Sequence, residues 1–310
     1  MNILKKMVCI LLGIIGIHTI QAEIITYPAE VTPGSWLCFR KDISVGKDAS
    51  HNLLKIAADS KYWLWINGEL IVREGNLKRG PNPKDTYCDI LRDVKGLVSG
   101  RNTIALLVWY FGKDGFSHRN SPTAGVSVDL TIGKQRYISD DSWKVSIHPS
   151  FYIPNGINPN YRLPESNIGF NAQKEVAFWD KDFDDALWQD AKVIKKELSG
   201  WNQLVERPIP MWKDYGLKDY VKVERKSDTL FVAYLPYNAQ VNPYIKLKAK
   251  VGEIIDIRTD NYCGGGTPNV YAEYITKNGI QEFEAWGWMN GHQVLYTIPK
   301  DVNNLFFSPV

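Results

Sequence analysis

The sequence predicts an all-β protein made of β-sandwiches. Its 310 residues include 11 Trp and 16 Tyr, which are enriched in strands, while 24 Gly and 16 Pro supply many turns. The apolar segments are short and end at turn residues, and the sequence shows no long amphipathic helix pattern. Short strands with frequent turns are typical of sandwiches. At roughly 100–200 residues per domain, two domains are expected.

The strongest local signal is a β-hairpin. Strand-forming residues 61–66 and 69–72 flank Asn67-Gly68, and a type I′ turn requires positive φ at both central positions, which Asn and Gly tolerate. Thr103 to Tyr110 is a longer apolar run without alternation. Such a run indicates a strand that is buried on both faces.

Two short segments, 140–143 and 184–188, each place a Trp just after a pair of aspartates. Aspartate favours turns because its side chain accepts hydrogen bonds from nearby backbone N–H groups. We therefore expect each aspartate to hold a turn, and Trp143 and Trp188 to anchor these turns on a sheet.

Proline and glycine indicate where the domains divide. Residues 149–169 are rich in loop formers and fit either a linker or a long excursion within one domain. Residues 201–212, with Pro208 and Pro210, are the better boundary. The predicted domains are therefore residues 23–212 and 213–310.

The N-terminus is typical of a secretory signal peptide. Lys5-Lys6 precedes an apolar segment from Met7 to Ile20, and Ala22 precedes Glu23. The apolar segment is shorter than the roughly 20 residues that span a bilayer. We expect residues 1–22 to be removed and the mature chain to be exported to the periplasm or the extracellular space.

Charge and metal-ligand spacing argue against several partners. The net charge of +3 offers no strong electrostatic footprint for nucleic acid or anionic membranes. The histidines are far apart, so no zinc site is expected. Asp114-Gly115 and Asp260-Asn261-Tyr262 leave a structural Ca²⁺ open, and no cofactor is expected otherwise.

The mature chain contains three cysteines, Cys38, Cys88 and Cys263. This odd number leaves at least one thiol unpaired. Export permits one disulfide, and buried, unreactive thiols are the alternative that we favour.

The segment from Trp109 to Arg119 combines aromatic rings, charges and glycine at the end of a strand. Sugars offer apolar C–H faces to rings and hydroxyls to polar groups, so this composition is typical of a carbohydrate site. The predicted site residues are Trp109, Tyr110, Lys113, Asp114 and His118, with Asp85 and Tyr87 from a neighbouring segment. The alternative is that the rings belong to the core, where Trp and Tyr bury large apolar areas.

Glu282 and Glu284 lie two residues apart and share a face if the segment is a strand. A glycosidase requires two carboxylates about 5–5.5 Å or about 6.5–9.5 Å apart. The alternative, a solvated strand face, is the interpretation that we favour.

A series of segments resembles the N-terminal portion of bacterial α-L-rhamnosidases of glycoside hydrolase family 78. The Asn-Gly hairpin alone is weak, but the order of the segments is specific, and the likeness covers nearly all of residues 35–300. The segments are 62–69, 77–87, 109–118, 159–167, 207–216, 258–262 and 288–292.

The resemblance implies a galactose-binding-like β-sandwich (a jelly roll) followed by a second, smaller β-sandwich. In the family, an (α/α)₆ barrel follows and carries the carboxylates for inverting hydrolysis of terminal α-L-rhamnose. The sequence stops at Val310, where the second sandwich is expected to be truncated at its end, and it contains no such barrel. No catalytic residue can therefore be assigned, and the chain alone is expected to be inactive.

These observations predict the non-catalytic N-terminal modules of a secreted α-L-rhamnosidase homologue. The expected partners are rhamnose-containing glycans and, in a full-length relative, the barrel domain. The alternative is a stand-alone carbohydrate-binding protein, which saturable glycan binding by a soluble monomer would favour.

Overall fold

The computed structural model describes residues 22–47, 49, 51–76, 82–116, 118–156, 163–261 and 270–310. Strands dominate these ranges, which also contain a 3₁₀ turn (Ala172–Lys174) and a short helix, α1 (Lys196–Ser199). Within them, no helix has both the length and the apolar character needed to cross a membrane. The strands in chain order are β1 (Ile24–Thr26), β2 (Trp36–Val45), β3 (Asn52–Asp59), β4 (Lys61–Ile66), β5 (Glu69–Gly75), β6 (Thr86–Arg92), β7 (Gly100–Trp109), β8 (Gly125–Ile132), β9 (Gln135–Ile138), β10 (Lys144–Ile147), β11 (Phe151–Tyr152), β12 (Ile168–Asn171), β13 (Gln189–Asp190), β14 (Lys192–Ile194), β15 (Leu204–Glu206), β16 (Lys222–Arg225), β17 (Leu230–Val241), β18 (Pro243–Ala249), β19 (Ile254–Thr259), β20 (Tyr271–Ile275), β21 (Gly279–Glu284), β22 (Met289–Thr297) and β23 (Asn303–Pro309).

Two sheets form the first sandwich. One has the order β14-β1-β8-β3-β6-β15, with β9 paired to β8, and the other has the order β13-β10-β2-β7-β4-β5. Apolar side chains from both sheets, among them Leu54, Val128, Leu37 and Leu106, meet in one core. The second of these sheets is called the central sheet below, because both of its faces are covered.

The predicted hairpin is confirmed. Ile66 pairs with Glu69, and the two turn residues have φ of 52° (Asn67) and 85° (Gly68). The Asn67 side chain also accepts a hydrogen bond from the Thr103 backbone N–H at 2.9 Å. The turn is therefore held against the strand that continues the sheet.

The two aspartate–tryptophan turns also form as predicted. Asp140 accepts from the backbone N–H of Ser142 at 3.0 Å, and Asp184 accepts from that of Ala186 at 3.0 Å. Trp143 lies in the first sandwich core, and Trp188 packs at the edge of a second aromatic cluster. Both rings anchor their turns on the sandwich.

The second sandwich is smaller. A sheet of order β11-β12-β20-β19-β22-β17-β16 packs on a sheet of order β21-β18-β23. Its core joins Ile257 and Tyr296 of the larger sheet to Ile245 and Phe283 of the smaller one. The all-β architecture with two sandwiches is therefore confirmed.

The chain crosses between the sandwiches earlier than predicted. Strands β11 and β12 belong to the second sandwich, where β12 pairs in parallel with β20. The chain then returns to the first sandwich, in which β13, β14 and β15 occupy sheet edges. The described parts of the loop-rich segment, residues 149–156 and 163–169, thus form an excursion into the other sandwich, which a division into 23–212 and 213–310 does not include.

The outer face of the central sheet packs against the second sandwich. The Trp36 ring stacks on Trp109 of β7 with centroids 4.6 Å apart, and on Phe151 of β11 with centroids 3.9 Å apart. The ring of Trp286 meets Trp63 edge-on at 5.6 Å. Because the opposite face lies in the sandwich core, strand β7 is buried on both faces, as its unbroken apolar sequence predicts.

His148 lies in the same interface, just after β10. It is buried, its Nδ1 accepts the Ser150 backbone N–H at 3.2 Å, and its ring meets Phe151 and Phe178 edge-on. Burial lowers the pKa of His148 to about 4. The imidazole is therefore neutral in the folded protein at neutral pH.

The two described cysteines behave as buried, unreactive thiols. Cys38 and Cys88 are unpaired and buried. Burial raises the pKa of Cys38 well above its usual value and that of Cys88 to about 11, so neither forms a thiolate readily. Cys263 lies outside the described residues.

The rings of Trp36, Trp63, Trp109, Phe151 and Trp286 form the interface cluster between the two sandwiches. Replacing Trp36 with alanine tests its contribution to stability. Trp36→Ala removes a ring that is 2% exposed, and we expect the free energy of unfolding to fall by about 3–5 kcal/mol in urea denaturation. The control is Leu187→Ala, at a position that is 97% exposed, where a change within about 0.5 kcal/mol is expected. Equal effects in the two variants would contradict this role for the cluster.

The neutral His148 makes stability depend on pH. Its pKa is about 4 when folded and about 6.5 when unfolded, so the unfolded chain takes up the proton first as the pH falls. This contribution to stability is therefore complete above about pH 6.5 and declines until about pH 4, by an amount on the order of 3 kcal/mol. In the control variant His148→Asn, whose amide oxygen can replace Nδ1 as acceptor, this part of the slope should disappear. An unchanged slope in the variant would assign the effect to other groups.

Candidate functional site

The predicted carbohydrate site begins at the end of β7, where two aromatic rings point in opposite directions. Trp109 is 1% exposed and lies in the interface cluster, and Tyr110 is 5% exposed and lies in the first sandwich core. The Tyr110 hydroxyl donates to the Ser121 backbone oxygen at 2.9 Å. Because β7 is buried on both faces, neither ring has a face open to a sugar. The core alternative therefore describes these two residues.

The polar residues of the same loop are arranged differently. Lys113 and Asp114 are exposed. Asp114 accepts the Asn120 backbone N–H at 2.8 Å and pairs with Arg119 at 2.8 Å, and both interactions lower the pKa of Asp114. Asp114 is thus an ionised anchor of its own loop, with Lys113 beside it at the surface.

His118 closes this loop toward the interior. It is 5% exposed, its Nε2 lies 3.6 Å from Asp59 Oδ1, and its ring meets Phe111 edge-on at 5.3 Å. These contacts fit a residue that holds the loop in place.

Asp85 and Tyr87 lie at the other sheet of the first sandwich. Asp85 is buried and accepts from the Asn202 side chain at 2.7 Å and from the Gln203 backbone at 3.2 Å. Tyr87 is half-buried in β6. The two parts of the predicted site are thus held by different segments, and Asp85 fastens the chain that leads into β15.

Asp114 and Asp260 are the two aspartates considered above as ligands of a structural Ca²⁺. Asp260 Oδ1 accepts the backbone N–H groups of His292 and Gln293, at 2.8 and 3.0 Å, and Asp114 has the partners given above. Across the ranges that the structure describes, no three His, Cys, Asp or Glu side chains are grouped as metal ligands.

Sequence reasoning missed a buried charge cluster at the start of β4. Lys61 is 1% exposed, and its Nζ lies 3.1 Å from Glu74 and 3.6 Å from Glu165. Its Nζ also lies 5.7 Å above the Trp109 ring. Burial opposes the charged ammonium, but the two carboxylates outweigh it and raise the pKa of Lys61. A lysine directly before an apolar strand was the one sequence signal for it.

A cleft of about 210 Å³ opens where the sandwiches meet. Trp63, Trp65 and Trp286 form its apolar part, and the carboxylates of Glu175, Glu282 and Glu284 form its polar part. Aromatic rings beside polar groups suit a small polar ligand.

The carboxylates of this cleft are all paired with cations. Glu284 binds Arg73, Glu282 binds Lys246 at 2.6 Å, and Glu175 binds Lys277 at 2.7 Å. The hydrogen bond from Lys246 lowers the pKa of Glu282, whereas a glycosidase acid requires a raised pKa. Glu282 and Glu284 therefore form the solvated, ion-paired strand face that we favoured.

Comparison with known proteins gives a likeness of structure. No family model and no curated protein matches the sequence. The α-L-rhamnosidase from Dictyoglumus thermophilum matches 93% of this chain with a TM-score of 0.68 and 20% identity, over 36% of its own chain. The Streptomyces avermitilis α-L-rhamnosidase, solved with L-rhamnose, matches 90% with a TM-score of 0.68 and 16% identity, over 29% of its chain.

A fungal enzyme gives the same result. The Aspergillus terreus α-L-rhamnosidase matches 94% of this chain with a TM-score of 0.68 and 19% identity, over 36% of its own chain. The chain thus spans about a third of the length of these proteins. At such identities the comparison establishes the fold: the two sandwiches have the architecture of the N-terminal region of α-L-rhamnosidases.

Proposed function

We propose that this chain forms the non-catalytic β-sandwich modules of an exported α-L-rhamnosidase homologue. The observation that carries the proposal is the likeness of more than 90% of this chain to about a third of an α-L-rhamnosidase chain, with a TM-score of 0.68. Both sandwiches match together. Export is part of the proposal and rests on the signal-peptide pattern of residues 1–22.

The chemistry of the inter-sandwich cleft supports a non-catalytic role. Inverting hydrolysis requires a protonated carboxylic acid and a second carboxylate that activates water. In the cleft, Glu282 and Glu284 are paired with Lys246 and Arg73. Hydrolysis is therefore assigned to a further domain of the kind that the family resemblance implies.

The accessory role that we assign to the modules is contact with rhamnose-containing glycans. In the predicted loop, Lys113 and Asp114 are exposed and offer a donor and an acceptor to sugar hydroxyls. Trp109 and Tyr110 support this loop from beneath, because their rings are buried. Glycan contact there is consequently polar.

We expect purified residues 23–310 to release no nitrophenolate from 4-nitrophenyl α-L-rhamnopyranoside above the rate without protein. The physical reason is that, among the residues that the structure describes, no carboxylic acid is identified that could protonate the leaving oxygen. An active α-L-rhamnosidase serves as the positive control. Turnover above that rate would contradict the non-catalytic assignment, and its loss in the variants Glu282→Gln or Glu284→Gln would place it in the inter-sandwich cleft.

Native gels containing a rhamnose-rich pectic polysaccharide test the accessory role. We expect residues 23–310 to migrate more slowly in them than in gels without polysaccharide, and the double variant Lys113→Ala/Asp114→Ala to lose part of this retardation. Equal migration in both gels would contradict glycan contact.

Sequencing the source DNA past codon 310 then separates the two functions considered. An open frame that continues into a helical barrel supports the accessory module. A stop codon at that point would favour the stand-alone carbohydrate-binding protein.

A further inference from the structure

Arg73 also lines a second cavity, which is distinct from the inter-sandwich cleft and has a volume of about 150 Å³. Three parts of the chain meet there: the end of β5, the segment that joins the two sandwiches, and the residues of the second sandwich at Gln240, Asn242, Trp288 and Val310. The lining residues used below are Arg73, Glu74, Trp212, Lys213, Asp214, Tyr215 and Trp288.

Some buried polar atoms around this cavity have no hydrogen-bond partner in the protein. Glu74 is 4% exposed, and its Oε2 accepts from Lys61, whereas its Oε1 is buried without a hydrogen-bond partner. The buried Nε1–H of Trp288 also has no hydrogen-bond acceptor, whereas Arg73 Nε faces the Asp214 carboxylate at 3.8 Å. A buried polar atom that lacks a partner costs about 1–3 kcal/mol. A ligand that supplies the missing partners recovers part of this cost.

Glu74 Oε1 and Trp288 Nε1 select hydroxyls. The carboxylate oxygen can only accept, while the indole N–H can only donate. A hydroxyl donates and accepts at the same time, so neighbouring hydroxyls on one ring can satisfy the acceptor and the donor together.

Aromatic rings supply the apolar part of the cavity. Trp212 is 47% exposed and Tyr215 is 64% exposed. Lys213 Nζ lies 5.0 Å from the centroid of the Tyr215 ring, which helps to hold that ring. Exposed indole and phenol faces pack well against the C–H faces of a sugar ring.

The charges and the volume of the cavity limit the class of ligand further. Arg73 is paired with Glu284 and Asp214, and Glu74 is paired with Lys61. Most of the lining charges are therefore compensated within the protein, and the cavity favours neither an anion nor a cation. Its volume lies below the roughly 300–1,000 Å³ of pockets that hold drug-sized ligands. A single ring fits this volume better than an oligosaccharide does.

We propose that this cavity binds one neutral pyranose residue of a glycan, with Trp212 as the stacking ring and Glu74 and Trp288 as hydroxyl partners. The site differs from the loop at residues 110–119. Only the choice of rhamnose as the first probe rests on the proposed function.

Saturation-transfer NMR tests the site with two probes, methyl α-L-rhamnopyranoside and methyl α-D-glucopyranoside, at millimolar concentration. We expect saturation transfer from the wild-type protein to at least one probe. Trp212→Ala should weaken binding at least tenfold, because it removes an exposed stacking surface without opening a core. Trp288→Phe should also weaken binding, because it keeps an aromatic ring and removes the unpartnered N–H.

Tyr237→Ala is the matched control, since Tyr237 is an aromatic ring that is 69% exposed and belongs to neither candidate site; it should bind as the wild type does. Absence of transfer to both probes, or equal binding by the wild type and Trp212→Ala, would overturn the proposal. Loss of binding in Asp114→Ala but not in Trp212→Ala would overturn it too, by placing the sugar on the other loop. Hydrolysis of the nitrophenyl rhamnoside would refute the proposed function and leave this site standing.

Discussion

Burial of the central sheet on both faces is the constraint on which the rest of this structure depends. One face supplies the first sandwich core, and the other carries Trp36, Trp63 and Trp109 into the second sandwich. A strand with two apolar faces cannot be left exposed on either side without a large loss of burial. The two sandwiches are consequently packed against each other through this sheet.

The charge cluster follows from the same constraint. Lys61 begins a strand whose surroundings are apolar, and an ammonium buried there would be strongly unfavourable without a counter-charge. Glu74 supplies one carboxylate from the adjacent hairpin strand, and Glu165 supplies another from the segment that leads into the second sandwich. The ion pairs therefore link the central sheet to the excursion, beside the aromatic contacts that do the same.

The predictable parts of this fold are the local ones. The Asn67-Gly68 turn and the two aspartate–tryptophan turns depend on residues that are neighbours in sequence, and they could be predicted from it. The excursion could not, because β11 and β12 are short and β12 finds its partner, β20, about a hundred residues later. Its stability comes from long-range strand pairing, which local sequence propensities do not indicate.

The candidate site could be predicted from the sequence only in part. An unbroken apolar run in β7 predicts burial on both faces, so the successive residues Trp109 and Tyr110 must point into two different interiors. A ring that fills a core cannot also stack on a sugar. Lys113 and Asp114 follow the strand and do not pack in either core. Their exposure agrees with a polar contact to a sugar. The pattern of rings and charges predicted the position of the loop. It could not distinguish the buried rings that support the loop from the polar residues exposed at its surface.

The same reasoning indicates where an aromatic binding surface can exist in this molecule. The central sheet commits the tryptophans that it carries to packing, so a ring free to contact a ligand must come from a segment that belongs to neither sheet core. Residues 207–221 join the two sandwiches and provide such a segment, and Trp212 is the most exposed tryptophan of the chain. Its neighbours at the cavity include Glu74, whose other oxygen is already held by Lys61. The ion pair that the buried sheet requires thus leaves one carboxylate oxygen without a partner beside an exposed ring, and this juxtaposition is what a sugar hydroxyl and its C–H face would recognise.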